Sequence, residues 1–148
     1  MNTDFALGAL HLTLQRWPLQ QPNQSLQAWD AADELLVART LAQLPKLCQR
    51  IPEPTIIILN DAFGALSCAV GEQPHYVVQD SILAQLAARH NRTQNGLSTA
   101  AVTELDSLAA LPAKADLILL KVPANQSYLA WQLAALRTVI HAETQLLV

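Results

Sequence analysis

The chain has 148 residues, 51% of them hydrophobic and 14% charged, with nine Lys and Arg against twelve Asp and Glu for a formal charge of −3. That is the length of about one ordinary domain with ample material for a core, which excludes a disordered or fibrous protein. The acidic balance lacks the basic excess with which a free-standing nucleic-acid binder releases counterions from phosphate, so charge alone does not predict RNA binding.

Residues 9–17 place Leu10, Leu12 and Leu14 on one face at period two, and Pro18 closes the run, which predicts a half-buried strand. After the polar loop 21–25, residues 26–44 carry Trp29, Ala32, Leu36, Leu41 and Leu44 at helical spacing. Asp30, Asp33 and Glu34 fall in the first turns, where the helix dipole favours anions, and Ser25 is the expected cap. Pro45, Pro52 and Pro54 mark a connection. From Thr55 onward strands alternate with helices, the signature of parallel βαβ units. Strands are expected at 55–59, 75–79, 101–105, 115–122 and 144–148, and helices at 65–70, 81–90 and 126–140. In the 81–90 helix, Ile82, Leu83 and Leu86 are expected to face inward, and 91–96 to form a turn. The expected organisation is a strand-and-helix extension over 1–54 joined to an α/β core over 55–148 in one compact domain.

No apolar run approaches the roughly 20 residues of a membrane span, and the N-terminus lacks the basic and apolar regions of a secretory signal, so cytoplasmic residence is expected. Cys48 and Cys68 have no metal-ligand spacing and read as buried thiols. The four histidines, His11, His75, His90 and His141, are scattered, and Ser67 lies in no nucleophile elbow, so neither a metal site nor a hydrolase is expected.

The turn after the 55–59 strand carries the chemical question. Open parallel sheets bind ligands beyond the carboxyl ends of their strands, where glycines let the backbone approach and helix N-termini offer free N–H groups. Laid on the Asp-x-Gly-x-Gly-x-Gly turn of S-adenosylmethionine-dependent methyltransferases, Asn60 takes the acidic place, Ala62 and Leu66 take glycine places, and only Gly64 matches. Leu66 is expected to obstruct the path of the cofactor's methionine part. The cofactor-site remnants are therefore Asn60, Asp61, Gly64, Asp80 and Asp106. Asp80 stands where such folds hold ribose hydroxyls, with a helix N-cap as the plainer alternative, and Asp106 stands near the usual adenine contact or simply in a loop. After the fourth strand, amino-group methyltransferases place Asn/Asp-Pro-Pro-aromatic to hold a flipped base; here Lys121-Val122-Pro123-Ala124 can neither accept the hydrogen bond nor stack. No catalytic residue is expected. If the first and fourth strands are neighbours, Lys121 is expected to pair with Asp61. Arg89, Arg92 and Lys121 are the candidate RNA contacts, and clustering of Arg16, Arg39, Lys46, Arg89, Arg92 or Arg137 on one face would favour RNA binding. Any use of the cleft would fall near Asn60, Asp61, Phe63, Lys121 and Asn125.

The runs 26–34 (LQAWDAADE), 59–68 (LNDAFGALSC) and 120–123 (LKVP) resemble the N-terminal domain of the bacterial 23S rRNA guanine-N2 methyltransferase family, ribosomal RNA large subunit methyltransferase G. The resemblance spans nearly the whole chain and implies a Rossmann-like methyltransferase fold, with a mostly parallel open sheet and helices on both faces, truncated at its C-terminus. It further implies an N-terminal domain that helps recognise 23S rRNA without catalysis, beside a C-terminal domain that binds S-adenosylmethionine and methylates guanine N2. The rival expectation is a structural spacer that packs on the catalytic domain without touching RNA. The fifth strand would leave an unpaired edge at which two copies could pair.

Overall fold

The computed structural model describes residues 2–19 and 26–148. Two short strands, β1 (Asp4–Leu7) and β2 (Leu10–Thr13), form an antiparallel hairpin whose turn holds Gly8 at φ +58°. The long helix α1 (Ala31–Arg50) follows. Then come β3 (Ile56–Leu59), α2 (Ala65–Val70), β4 (His75–Val78), α3 (Ile82–Gln94), a 3-10 turn (Thr99–Ala101), β5 (Val102–Leu105), β6 (Leu117–Leu120), α4 (Gln126–Leu136) and β7 (Gln145–Leu147). The five-stranded sheet is wholly parallel in the order β5-β4-β3-β6-β7, so the strand order reverses between β3 and β6. This is a Rossmann-like open α/β sheet with helices on both faces.

Alternation along each strand divides the core. Ile56 and Ile58 of β3 and Leu117 and Leu119 of β6 join Leu36, Val37 and Leu47 of α1 and Leu66 of α2 on one face. Ile57, Leu59, Ile118 and Leu120 meet Leu136 of α4 on the other. Both central strands are buried at every residue, as their unbroken apolar runs require of strands covered on two sides. Phe5, Leu12 and Leu14 of the N-terminal hairpin region belong to the first cluster, with Phe5 edge-on to Trp29 at 5.2 Å.

Several local expectations are corrected. Helix α1 begins after Asp30, where a reciprocal capping box joins Asp30 and Asp33, each side chain accepting from the other's backbone N–H at 3.0 Å. The expected Ser25 cap lies outside the described residues. The helix runs through Pro45, which removes one N–H from the ladder while Leu44 and Leu47 on either side stay anchored in the core. The hairpin's first strand, β1, escaped the periodicity reading.

In α3, Ile82 and Leu83 face solvent at 59% and 52% exposure, and the buried residues are Ala87, Asn91 and Arg92. The helix continues through the predicted turn to Gln94. Its short and polar inner face allows close approach. Gly64 sits so near that a Cβ there would lie 2.8 Å from the Cα of Ala88. Among the described residues no helix is long and apolar enough to cross a membrane.

Candidate functional site

The carboxyl ends of β3 and β6 are where this topology puts a ligand, and polar side chains there bond within the chain, beside an open cavity of about 370 Å³ lined by Asn60, Ala62, Phe63, Gln79 and Ser81. Asn60 ends β3 in a left-handed conformation at φ 68°. Its amide donates to the Lys121 carbonyl oxygen at 2.8 Å and exchanges two hydrogen bonds with Gln132 of α4, at 2.9 and 3.0 Å. The next residue, Asp61, is 2% exposed. Its carboxylate accepts from the backbone N–H groups of Leu66 at 3.2 Å and Ser67 at 3.0 Å, the first turn of α2. Those are the donors a phosphate or carboxylate ligand would seek in this fold. Burial raises the Asp61 pKa to about 6 against the lowering effect of these two bonds.

Leu66 does not obstruct a cofactor path as expected. Its side chain is fully buried in the core under the sheet.

The expected Lys121–Asp61 pair is also corrected. β3 and β6 are neighbours, yet the Lys121 ammonium turns to α1, 2.9 Å from Asp33 and 3.1 Å from Asp30. Both carboxylates are buried, but Asp61 has two backbone N–H donors whereas Asp33 has one, from Asp30, and takes the cation. Burial raises the pKa of Asp33, whereas for Lys121 burial is outweighed by the two carboxylates, which hold its pKa above the ordinary value. The acidic cap of α1 and the residue after β6 are thus locked together across the end of the sheet.

Arg92, a predicted RNA contact, is corrected most sharply. It is 1% exposed and its guanidinium donates to the carbonyl oxygens of Ser67 at 2.8 Å, Gly71 at 2.9 Å and Ser98 at 2.7 Å. It therefore ties the ends of α2 to the loop after α3. Beside it the Ser67 hydroxyl meets His75 Nε2 at 2.7 Å, while His75 Nδ1 faces the Gln73 carbonyl oxygen at 2.8 Å. That carbonyl fixes the proton on Nδ1 and leaves Nε2 to accept from Ser67. Burial lowers the His75 pKa to about 4, and the imidazole is neutral. Both residues are buried, so this is a core network and not a nucleophile presented to substrate.

Of the remaining predicted residues, Arg89 is bound by Glu104, with Nε to carboxylate at 2.9 Å. Asp80 accepts from Ser107 N–H at 2.7 Å, and Asp106 from Leu108 N–H at 2.9 Å. The N-cap of α3 is Ser81, not Asp80. Asn125 caps α4. Arg16 lies over the Phe63 ring at 4.8 Å. Cys68 is buried, which pushes its thiol up to about 12, and Cys48 is half-buried; neither is bridged. No cluster of three or more metal-ligating residues occurs among the described residues.

The sequence reading missed Asn91 and Asn95. Their amides, four residues apart at the end of α3 and its C-cap, supply strand-like hydrogen bonds to the last residue of β2 and the segment after it. Asn95 serves Thr13 N–H and C=O, both at 2.8 Å, and Asn91 serves Gln15 N–H and C=O, both at 2.9 Å. The i, i+4 spacing of two asparagines on one helix face was the available signal.

The family model described as the RLMG N-terminal domain matches residues 2–148. The chain belongs to the RLMG N-terminal domain family. It is 42% identical over 138 residues to the ribosomal RNA large subunit methyltransferase G of Serratia proteamaculans, covering 93% of this chain and 35% of that protein. The chain thus spans about a third of the length of that curated relative. Among solved structures it is similar to an SAH-bound methyltransferase of Podospora anserina, with TM-score 0.57, 13% identity, and coverage of 77% of this chain and 50% of that one. It is also similar to a precorrin 8w decarboxylase of Methanobacterium thermoautotrophicum, with TM-score 0.56, 12% identity, and coverage of 73% and 60%. At such identities these two show the fold alone. This RLMG N-terminal domain shares its fold with them, and its turn after β3 engages the helix N–H groups internally.

Proposed function

We propose that this chain is the non-catalytic, RNA-recognising N-terminal part of an S-adenosylmethionine-dependent 23S rRNA guanine-N2 methyltransferase, with cofactor and chemistry held by the C-terminal part of the parent protein. The observation that carries the reading is the Asp61 carboxylate on the Leu66 and Ser67 N–H groups, which leaves those donors nothing to offer an anionic ligand. The residues do not fit the cofactor. Lys121 supports the same reading, because its ammonium is committed to Asp33 and Asp30 where an amine-binding acceptor is needed. Calorimetric titration of this chain with S-adenosylmethionine, run beside the full two-part enzyme, tests it. Heat from the whole enzyme alone is expected; micromolar binding by this chain would overturn the reading.

The spacer reading has its own support in α4, which is apolar on nearly every side and leaves Trp131 and Leu133 exposed at 44% and 40%. That face suits packing on another protein surface. Absence of any RNA affinity in this chain would favour it. β7 pairs with β6 on one side only among the described residues, and two copies would pair along its free edge. Light scattering across a range of concentrations checks this, and a strictly monomeric chain would refute it.

A further inference from the structure

All nine Lys and Arg residues lie among the described residues, and the structure sorts them. Arg89, Arg92 and Lys121 are in ion pairs and Arg16 is stacked on Phe63. Of the five others, Arg39, Lys46 and Arg50 stand on α1 and are exposed, with no ion pair among the described residues. Their spacings of seven and four residues put them on one face of the helix, with Gln43 completing the row. The buried stripe, Leu36, Val37, Thr40, Leu44 and Leu47, is centred about 100° round the helix from this row, so the cations flank the core-facing side. Between Glu34 and Glu53 the chain has no carboxylate at all. In a molecule of net charge −3 this is a local cationic row about 17 Å long, at 1.5 Å per residue. Arg50 has a structural reason to be there, since the last turn of a helix favours a cation. Arg39 and Lys46, in the body of the helix, have none.

We infer that the exposed flank of α1 that carries Arg39, Lys46 and Arg50 is the surface that contacts the phosphate backbone of RNA. This rests on the RNA-recognition reading above and gives it a location away from the cleft and from Arg89 and Arg92. Cations carried by a helix anchored in the core suit phosphate contacts, which position a protein on RNA without reading sequence. The remaining free cations, Lys114 and Arg137, lie outside α1 and serve as the control.

The test is fluorescence anisotropy of this chain on deproteinised large-subunit rRNA fragments and on a polyuridylate of about 20 nucleotides, at several salt concentrations. The triple variant Arg39→Gln, Lys46→Gln, Arg50→Gln keeps residues of good helix propensity, and circular dichroism verifies its fold. Three phosphate contacts on a single strand predict a slope of log affinity against log salt shallower by about 2, and a loss on the order of 100-fold near 0.1 M salt. Lys114→Gln with Arg137→Gln is expected to change the slope little. Wild-type affinity that the triple variant retains, or an equal loss per charge in the control, would overturn the inference and leave RNA recognition standing. No RNA binding by the unaltered chain would overturn both.

Discussion

Replacing Arg92 by Lys separates two roles that the sequence could not. As a surface cation on RNA, Lys would serve nearly as well, because a phosphate contact needs charge more than shape. In the structure, Arg92 uses its fork to reach three carbonyl oxygens, with Nε and one terminal nitrogen both on Ser98 and the other terminal nitrogen on Ser67. Lys, with a shorter reach and one nitrogen, satisfies one or at most two of those acceptors. Each buried acceptor left open costs about 1–3 kcal/mol, and the buried charge is then poorly compensated. The expected destabilisation of Arg92→Lys is about 3 kcal/mol, against the roughly 5–15 kcal/mol that holds an ordinary domain. Urea unfolding followed by circular dichroism would show the midpoint falling by about 1–2 M. Affinity for RNA, measured below the transition, is expected to stay within about twofold, since a side chain 1% exposed cannot touch a ligand. A midpoint shift smaller than about 0.3 M, or a large loss of RNA affinity in the folded variant, would refute the structural role.

Gly64→Ala must strain a φ of +95° and drive a methyl group onto the Ala88 backbone, so a loss of about 2–3 kcal/mol is expected in the same assay, and an unchanged midpoint would refute the close packing of the turn on α3. Lys121→Met leaves Asp33 buried without its cation; about 2 kcal/mol should be lost at neutral pH, and the deficit should shrink on acidification as Asp33 takes up a proton. For pH, Asp61 binds a proton in the folded state between its ordinary 3.8 and about 6, so it lowers stability as pH rises through that window, whereas His75, neutral down to about 4 against an ordinary 6.5, lowers stability as pH falls through nearly the same window. The two slopes oppose, so Asp61→Asn should make stability fall more steeply on acidification from pH 6 to 4 than in the unaltered chain, and parallel curves would refute the assigned shifts.

The sheet was legible because its strands are buried on both faces, which leaves unbroken runs such as Ile56–Leu59 and Leu117–Leu120 that no amphipathic helix would carry. Helix α2 has the bounds expected of it, Ala65–Val70, with Gly64 and Gly71 at its two ends. What misled were places where polar groups do the work of a core. The apolar residues of α3 suggested the wrong inner face, because Asn91, Arg92 and Asn95 satisfy backbone groups that no hydrophobic pattern records. The start of α1 was displaced for a similar reason. Trp29 has helical spacing from Ala32 and Leu36, but it precedes a cap built from two aspartates, and it belongs to the core through Phe5. Lys121 was assigned to the wrong carboxylate because sequence gives the neighbouring strand and not the neighbouring helix terminus.

These departures meet at one end of the sheet. Asn60, Asp61 and Lys121 stand just beyond the carboxyl ends of β3 and β6, and the side chain of each has polar partners within the chain. A ligand site must keep some donors and acceptors unmet until the ligand arrives, at a cost in stability. Once the chemistry resides elsewhere in a protein, nothing maintains that cost, and side chains that close the gap gain stability. The Asn60–Gln132 exchange joins β3 to α4, Lys121 joins β6 to α1, and Asp61 closes the first turn of α2. Polar groups at the crest of the sheet thereby become ties between its two helical layers. The cations nearest the carboxyl ends of these strands are paired within the fold, whereas Arg39 and Lys46 of α1 are exposed and in no ion pair among the described residues.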